Sequence, residues 1–472
     1  MRHLLESRLS ALLSCLALGL VFALLPDSAS AQSLPQDENF ADSGGTFSNF
    51  QPNGPTSETT AFFSSLGTNG RTCETCHQPG DAFGLSISDI TTTFNTTGGT
   101  DPLFAAVDGA DCVDQPNSHN MLLNHGLIRV MLPIAPKTFA GNVPNFTVTV
   151  TNDPTNCQLN NPNVQAACVA QFGAGAQCIS VYRRPLPATN LPFASVLMWD
   201  GRQPSPATRG LTAGINGVAT NAVRVHEQGT KNPTSAQLSQ ISTFLAGLYT
   251  SQETDNNAGA LNGNGATESA ETMPSTPFSF GENEVSSTGT GGFPNFNSNV
   301  FTFFSAWSSL TGTDPVSLAQ ESIARGENIF NNTTFRAGPS PKDVSTCSAC
   351  HNAFNVGTNS DNPVLFAHQG SDSPNDPTLQ PGSYLPTFIV TCNGKTSGTA
   401  TTDPGRALID GNCGDVEKIK IPTLHGLLAR PPFFHNGSAA TLATLVKFYN
   451  NRENIGLTSQ QQTDLTNFLG AL

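Results

Sequence analysis

Apolar residues recur at helical spacing in two segments that each open with a capping signal. Thr234 and Gln237 form a capping box at the start of Thr234–Leu248, and Thr458 and Gln461 form another near the C-terminus. The apolar stripes that follow are Leu238, Ile241, Phe244, Leu245 and Leu248 in the first segment and Leu465, Phe468, Leu469 and Leu472 in the second. Both segments are therefore predicted to be helices that bury one face.

Alternating strand patterns are weak along the whole chain. Phe146–Thr151 and Thr387–Cys392 are the only plausible short strands. Ser251–Asn299 is dense in Asn, Gly, Ser and Thr, which predicts a linker or a surface excursion, and Asn352–Thr401 is also rich in loop-forming residues. The predicted fold class is mainly α, with long irregular loops and few short strands.

The N-terminus has the three parts of a secretory signal peptide. Arg2 and Arg8 supply positive charge, Ala11–Leu25 is apolar, and an A-x-A cleavage site ends at Ala31. We therefore expect residues 1–31 to be removed and the remainder to be periplasmic or secreted. No later segment is apolar enough to predict a membrane span.

The formal net charge of −14 limits the class of partner. A chain this acidic is not expected to bind nucleic acid, whose backbone is also negative. The acidity serves solubility or attracts a small basic redox protein, and the charge count alone leaves both interpretations open.

Six cysteines beyond the signal peptide stand alone in loop-like sequence. They are Cys112, Cys157, Cys168, Cys178, Cys392 and Cys413. An even number in an oxidising compartment predicts disulfides, although six cysteines allow 15 connectivities. Proximity in the chain favours the pairs Cys168–Cys178 and Cys392–Cys413.

Two C-x-x-C-H motifs carry the strongest chemical signal. They consist of Cys73, Cys76 and His77, and of Cys347, Cys350 and His351. In this pattern two cysteines bind haem c covalently through thioethers, and the adjacent histidine is an axial ligand of the iron. A zinc site needs four ligands, and no second C-x-x-C lies nearby; a thioredoxin-like motif needs a βαβ pattern, which is absent. We therefore predict two covalently bound haem c groups.

The two motifs divide the mature chain. We predict an N-terminal haem domain at 32–299, with loop-rich insertions and a linker, and a C-terminal haem domain at 300–472. Ser317–Phe330 is expected to be the helix that precedes the second motif. Each domain would be cytochrome c-like, with helices packed across the edge of its haem.

Four further segments carry a family resemblance. They are Ile421-Pro422-Thr423-Leu424-His425-Gly426, Arg430-Pro431-Pro432-Phe433-Phe434-His435-Asn436-Gly437-Ser438, Leu197-Met198-Trp199-Asp200-Gly201-Arg202 and Asp403-Pro404-Gly405-Arg406. Together with the order of the two haem motifs, they resemble the bacterial di-haem cytochrome c peroxidase and MauG superfamily. The resemblance covers most of the mature chain.

The resemblance implies an enzyme with two unequal haems. His77 would ligate the haem that reacts with hydrogen peroxide, and His351 the haem that receives or stores electrons. Trp199 falls where the family places a tryptophan between the two, although a buried packing role would look the same in sequence. A small cytochrome c or a cupredoxin would donate electrons, and a homodimer is possible.

Tyr449 is the candidate second axial ligand of the C-terminal haem. It lies fourteen positions after His435, where the peroxidases have methionine and MauG-type enzymes have tyrosine. A hard tyrosinate oxygen favours oxidised iron, whereas a methionine sulfur favours reduced iron. Tyr449 also continues an apolar helical stripe with Leu442, Leu445 and Val446, so a packing role predicts the same spacing.

The first haem site departs from the family pattern. The family's catalytic glutamine and glutamate correspond to Arg209 and Ala219, neither of which accepts a proton as a carboxylate does. Peroxide cleavage needs a group that moves a proton between the two oxygens. His226 and Glu227 follow shortly after and are the candidate replacements; a solvated charged turn is the alternative.

The family's interdomain calcium ion has only partial support. Carbonyls of Arg430 and Pro432 are available as ligands, but the expected asparagine is replaced near Arg183-Arg184-Pro185. The resemblance therefore implies a calcium site for which these residues supply only part of the ligands.

Three functions follow from these observations. The first is an exported peroxidase that reduces hydrogen peroxide with electrons from a small redox protein. The second is a MauG-like high-valent di-haem oxidase of a protein or organic substrate, which Tyr449 favours. The third is a non-catalytic electron-transfer protein, which the missing glutamine and glutamate favour.

Overall fold

The structure is a computed structural model. It describes residues 32–203, 206–284, 296–336, 344–361 and 364–472. The predicted signal peptide at 1–31 lies outside the described residues. Within those ranges, no helix is both long and apolar enough to cross a membrane.

Short strands and helices alternate along the chain. The strands are β1 (Ser33–Leu34), β2 (Asp37–Ala41), β3 (Gly45–Phe50), β4 (Thr56–Ser57), β5 (Ile128–Ala135), β6 (Phe146–Asn152), β7 (Gln177–Arg183), β8 (Tyr249–Asp255), β9 (Gly259–Ala260), β10 (Phe335–Arg336), β11 (Val344–Ser345), β12 (Phe366–His368), β13 (Thr387–Cys392), β14 (Thr399–Thr401) and β15 (Lys418–Lys420). The helices are α1 (Ile87–Thr97), α2 (Asn120–His125), α3 (Pro162–Phe172), α4 (Pro206–Arg209), α5 (Leu211–Val225), α6 (Ser235–Ala246), α7 (Pro315–Asn332), α8 (Cys347–Cys350), α9 (Ala407–Asp410), α10 (Leu442–Arg452) and α11 (Ser459–Gly470).

The prediction of a mainly α fold with few strands is wrong. The chain has 31% helix and 17% strand, arranged as helices with several small antiparallel sheets. Several of the additional strands, such as β3 and β8, come from segments whose Ser, Thr, Asn and Gln side chains conceal the alternation that marks a half-buried strand, whereas β5 is a run of mostly apolar residues. These segments are stabilised by pairing with distant parts of the chain, which local propensity does not report.

The segment predicted as a linker begins inside a sheet. β8 lies between β3 and β9 in a four-stranded antiparallel sheet of order β2-β3-β8-β9. Ser251 on β8 is fully buried, and its hydroxyl donates to the buried carboxylate of Glu268. The prediction is therefore wrong at the start of Ser251–Asn299, because buried hydrogen bonds take the place of apolar contacts there. Residues 285–295 lie outside the described ranges.

Another sheet joins the two halves of the chain. β13 pairs with β14 on one side and with β6 on the other, over the register Ile389↔Thr149 and Val390↔Val148. Both strands predicted from the sequence are confirmed. β5 and β7 form a separate antiparallel pair whose apolar residues pack with Phe388 of β13.

Three disulfides fasten these loop-rich regions. Cys112 bonds Cys157, Cys168 bonds Cys178, and Cys392 bonds Cys413. The two pairs expected from chain proximity are confirmed. Disulfides of this kind fit an oxidising compartment outside the cytoplasm.

The predicted helices form as expected, and two of them, α7 and α11, contribute to the C-terminal core. Both capping boxes are present, at α6 and at α11, and α7 covers the predicted helix Ser317–Phe330. α7 packs on α11, whose Leu465, Phe468 and Leu469 are buried in the same core. The backbone of α7 approaches α11 closely at Gly326, where a Cβ atom would lie 2.0 Å from the Asp464 carbonyl oxygen.

Candidate functional site

Four cysteines remain outside the disulfides among the described residues. They are Cys73, Cys76, Cys347 and Cys350, the cysteine pairs of the two C-x-x-C-H motifs. Burial raises the pKa of Cys73 to about 12 and that of Cys76 to about 11, so both groups are neutral thiols near pH 7. The fold thus separates the motif cysteines from those that stabilise the loops.

The two motif histidines sit in matching backbone cradles. Nδ1 of His77 lies 3.0 Å from the carbonyl oxygen of Phe83, and Nδ1 of His351 lies 2.5 Å from that of Gly357. Each acceptor is six residues after its histidine and has a positive φ, 53° at Phe83 and 69° at Gly357. Because a carbonyl can only accept, Nδ1 carries the proton in both rings and Nε2 keeps its lone pair, as in an axial iron ligand.

Burial also favours the neutral form of both rings. It lowers the pKa of His77 below its ordinary value and that of His351 to about 4. A neutral imidazole is the form that binds a metal.

A large cavity adjoins the first motif. It has about 1350 Å³ of empty space, its open mouth included. Apolar side chains such as Phe62, Ile215 and Leu245 line it, together with cationic side chains that include Arg71 and Arg202. An apolar wall with cations matches the apolar ring and the two carboxylates of haem. The residues present therefore fit a haem at this position.

The cavity brings together most of the site residues predicted for the first haem. Trp199, His226 and Glu227 line it together with Cys73, Cys76 and His77. Of the two residues that correspond to the family's catalytic pair, Ala219 lines the cavity, whereas Arg209 is exposed and is not part of the lining. His226 follows Ala219 by seven residues, so the two share one face of α5 and its C-terminal end.

A buried carboxylate orients His226. Nδ1 of His226 donates to Oδ2 of Asp108, whose other oxygen accepts from Nη1 of Arg71. Burial opposes ionisation of Asp108, but Arg71 and His226 outweigh burial and hold the pKa of Asp108 below its ordinary value. With Nδ1 committed to Asp108, Nε2 of His226 is the nitrogen that can accept a proton.

Glu227 follows the end of α5, and its side chain is held by the backbone near Leu66. Its Oε2 accepts from the backbone N–H of Leu66 at 2.8 Å, while Oε1 is buried without a hydrogen-bond partner among the described residues. Burial raises the pKa of Glu227 above its ordinary value. Glu227 is thus a second group in the cavity that can hold a proton.

Trp199 lies between the cavity and the C-terminal half. Its Nε1 donates to the carbonyl of Arg184 at 2.8 Å, and its ring meets the His435 ring edge to face at 5.9 Å between centroids. The backbone N–H of Lys420 donates to the Trp199 carbonyl at 2.8 Å. The indole of Trp199 is therefore held by Arg184 of its own half, while its ring contacts His435 and its backbone bonds Lys420 in the C-terminal half.

Arg183 connects two of the motifs that carry the family resemblance. Its guanidinium donates to both oxygens of Asp403, at 2.6 and 2.9 Å, and also to Asp200 beside Trp199. All three side chains are buried. Nε2 of His435 lies 2.8 Å from Asp372 and 3.7 Å from Asp403, which extends this charged network to the ring beside Trp199.

Tyr449 lies on α10 beside the second motif. Tyr449, Phe434 and Cys347 pack against the same C-terminal core, and the Phe434 and Tyr449 rings are 5.9 Å apart. Burial, followed by the charges of Cys350 and nearby groups, raises the pKa of the Tyr449 phenol. Phe434 and His435 are adjacent in the chain, so this pair of residues contacts Tyr449 on one side and Trp199 on the other.

His119 and His125 do not line the cavity beside the first motif. Nδ1 of His119 lies 2.8 Å from the Gly109 carbonyl, and its ring packs on Phe104. His125 stacks on Tyr384 with 3.7 Å between ring centroids and lines a different cavity.

Sequence reasoning missed Asp108, Arg71 and the paired arginines Arg183 and Arg184 as parts of the site. Asp108 lies 118 residues before His226, so no local spacing links the two. Arg71 lies two residues before Cys73, and this closeness to the first motif is the signal that the sequence offers for it. No family model matches the chain, and a search of curated proteins finds no match either.

Proposed function

We propose that the chain is an exported di-haem c-type oxidoreductase that reduces hydrogen peroxide, with electrons from a small cytochrome c or a cupredoxin. The observation that carries this proposal is the separation of the cysteines. Six form disulfides, while the four of the two C-x-x-C-H motifs stay free beside histidines with an available Nε2. The disulfides support a periplasmic or secreted location.

The reaction takes two electrons and two protons per peroxide. One H₂O₂ accepts two electrons from two molecules of a one-electron donor, its O–O bond breaks, and two waters leave. Bound haem supplies the iron that exchanges electrons with peroxide and donor. Cys73 and Cys76 would hold the first haem with His77, and Cys347 and Cys350 the second with His351.

The residues of the first cavity would manage the protons. His226, oriented by Asp108, accepts a proton at Nε2 and returns it to the outgoing oxygen. Glu227 has an unpartnered carboxylate oxygen at the same cavity and supplies a second holding place for a proton. The apolar wall lowers the local dielectric constant, which strengthens the electrostatic effect of both groups.

The rings between the two motifs would assist electron exchange. Trp199 lines the first cavity and contacts His435, and Phe434 contacts Tyr449 beside Cys347. The Trp199 indole, held by the hydrogen bond from its Nε1, is a suitable intermediate site for electron transfer between the two haems.

The test begins with the full chain produced in a host that attaches haem c. Pyridine haemochrome absorbance should give two haems per chain, and Cys73→Ala together with Cys76→Ala should leave one. The two-haem protein should oxidise a reduced cytochrome c or a cupredoxin only when peroxide is added. Two six-coordinate haems without peroxide-dependent oxidation of any donor would instead indicate a plain electron carrier.

A MauG-like oxidase is the second candidate, and the position of Tyr449 beside Cys347 favours it. Peroxide should then produce a long-lived change in the spectra of both haems, and Tyr449→Met should abolish that change at unchanged haem content. An unaltered spectral response in Tyr449→Met would contradict tyrosine ligation.

A further inference from the structure

The side chain of Arg184 fills a cage of backbone carbonyls at the seam between the two halves, where N-terminal loops meet residues 430–435 of the C-terminal half. Nη2 donates to the carbonyl oxygens of Leu85 at 2.5 Å, Arg430 at 3.0 Å and Pro431 at 3.2 Å. Nη1 donates to the carbonyl oxygen of Gly126 at 3.2 Å. Arg184 is buried. One guanidinium thus joins two N-terminal loops to the turn that precedes His435.

The backbone of Arg184 extends the same connection. Its N–H donates to the His435 carbonyl at 2.6 Å, and its carbonyl accepts from Nε1 of Trp199 at 2.8 Å. Arg184 therefore forms a hydrogen bond with each of the two residues whose rings meet between the first motif and the C-terminal half, with the backbone of His435 and with the ring of Trp199.

A cage of neutral oxygens is also the chemistry that a calcium ion uses. The calcium ion suggested by the family resemblance would need the carbonyl of Arg430 and its neighbours. Here the Arg430 carbonyl already accepts from Arg184, so the residues present do not fit the ion. Burial and the nearby Arg430 lower the pKa of Arg184 to about 9, which still leaves it charged near pH 7.

We propose that the Arg184 guanidinium is a built-in cation that takes the place of a divalent ion at this seam and fastens the two halves together. Its five N–H donors have a fixed planar geometry, so one side chain can serve several carbonyls. The charge is covalently attached and cannot be lost to a chelator. This role of Arg184 does not depend on the proposed peroxide chemistry.

The first test concerns calcium. The haem-loaded full chain is treated with excess EGTA and then with 1 mM CaCl₂ at about 100 mM ionic strength, and thermal unfolding is followed. We expect the midpoint to move by less than about 1 °C, since no ion binds the cage. A midpoint that falls by several degrees in EGTA and recovers in calcium would overturn the proposal.

The second test displaces the guanidinium without removing it. A Cβ atom on Gly126 would lie 1.7 Å from Nη1 of Arg184, so Gly126→Ala must push the guanidinium out of the cage. Gly98→Ala is the matched control, because both glycines end helices with nearly the same φ, 63° and 62°, and nothing lies within 4 Å of a Cβ on Gly98.

The two variants share the backbone strain of alanine at positive φ and differ in the contact with Arg184. We expect Gly98→Ala to lower the midpoint by no more than about 4 °C and Gly126→Ala by at least about twice as much. Equal losses would show that the cage contributes nothing. A peroxidase assay is not needed for either test, so failure of the proposed function would leave both readouts intact.

Discussion

His226 is the residue to which the proposed function assigns the proton chemistry of the first cavity. It lies two helical turns beyond Ala219 on the same face, so a polar group near the end of α5 faces the cavity that the alanine leaves open. Asp108 and Arg71 hold His226 in one orientation, and both are buried. A proton-transfer role for His226 can therefore be tested by a change that keeps its shape.

His226→Gln should lower the peroxide-dependent turnover by about 10²–10⁴-fold, because an amide does not accept and return a proton. The haem content and the resting absorbance spectrum should stay unchanged. Steady-state oxidation of a reduced cytochrome c measures the loss.

His125→Gln is the control for this substitution. His125 stacks on Tyr384 and lines a different cavity, so turnover should stay within about twofold of the unsubstituted chain. Equal losses in the two variants would refute a specific role of His226.

The carboxylate of Asp200 should make part of the unfolding free energy depend on pH in the acid range. Burial opposes its ionisation, but Arg202 and Arg183 lower the pKa of Asp200 from 3.8 to about 2. Because the folded pKa lies below the unfolded one, this stabilisation is complete above about pH 4 and is lost as the pH falls towards 2.

Asp200→Asn should therefore destabilise the chain most above pH 4. The difference in unfolding free energy between the unsubstituted chain and Asp200→Asn should decrease by about 2 kcal/mol as the pH falls towards 2. Urea unfolding at pH 5, 4 and 3 measures the trend. Glu271→Gln, at an exposed position, should show no such decrease. A constant difference would mean that the pKa of Asp200 is not lowered by folding.

At the level of elements, local signals predicted helices well and most strands poorly. α6 and α11 begin at capping boxes, and a capping box is a local interaction that four residues define. β8 is a row of Thr, Ser and Gln in the middle of a sheet, and it is stabilised by hydrogen bonds to residues far along the chain. Only the folded arrangement brings those partners together.

The close approach of α7 and α11 makes Gly326 a sensitive position. A Cβ atom there would lie 2.0 Å from the Asp464 carbonyl oxygen and 2.6 Å from the Phe468 Cβ, so Gly326→Ala should force the helices apart. We expect a loss of about 1–3 kcal/mol of unfolding free energy, although alanine favours an isolated helix. Urea unfolding measures it.

Asn328→Ala, on the exposed face of the same helix, is the control. It should raise the unfolding free energy by about 0.5 kcal/mol through helix propensity. A Gly326→Ala chain as stable as this control would contradict the packing of α7 on α11.

At the level of the whole molecule, the sequence motifs meet along one seam. Asp200, Asp403 and His435 come from three separate motifs, and Arg183 and Arg184 hold them together from the end of β7. The sequence alone predicted the two C-x-x-C-H motifs, which are local patterns, and the family resemblance implied the candidate residues of the first cavity. The sequence did not predict the arginines, because their partners lie in distant segments and buried arginine leaves no periodic signal.

The two tryptophans of this chain offer a matched test of electron exchange across that seam. Each donates from Nε1 to a backbone carbonyl, Trp199 to Arg184 at 2.8 Å and Trp307 to Gly263 at 3.0 Å. Trp307 is buried in the C-terminal core, whereas Trp199 lines the first cavity and meets His435.

Trp199→Phe should therefore lower peroxide-dependent turnover at least about tenfold, a barrier increase of about 1.4 kcal/mol, at unchanged haem content. Trp307→Phe should instead lower the unfolding free energy by about 1–3 kcal/mol and keep turnover within about twofold. Equal effects of the two substitutions on turnover would restrict Trp199 to a packing role.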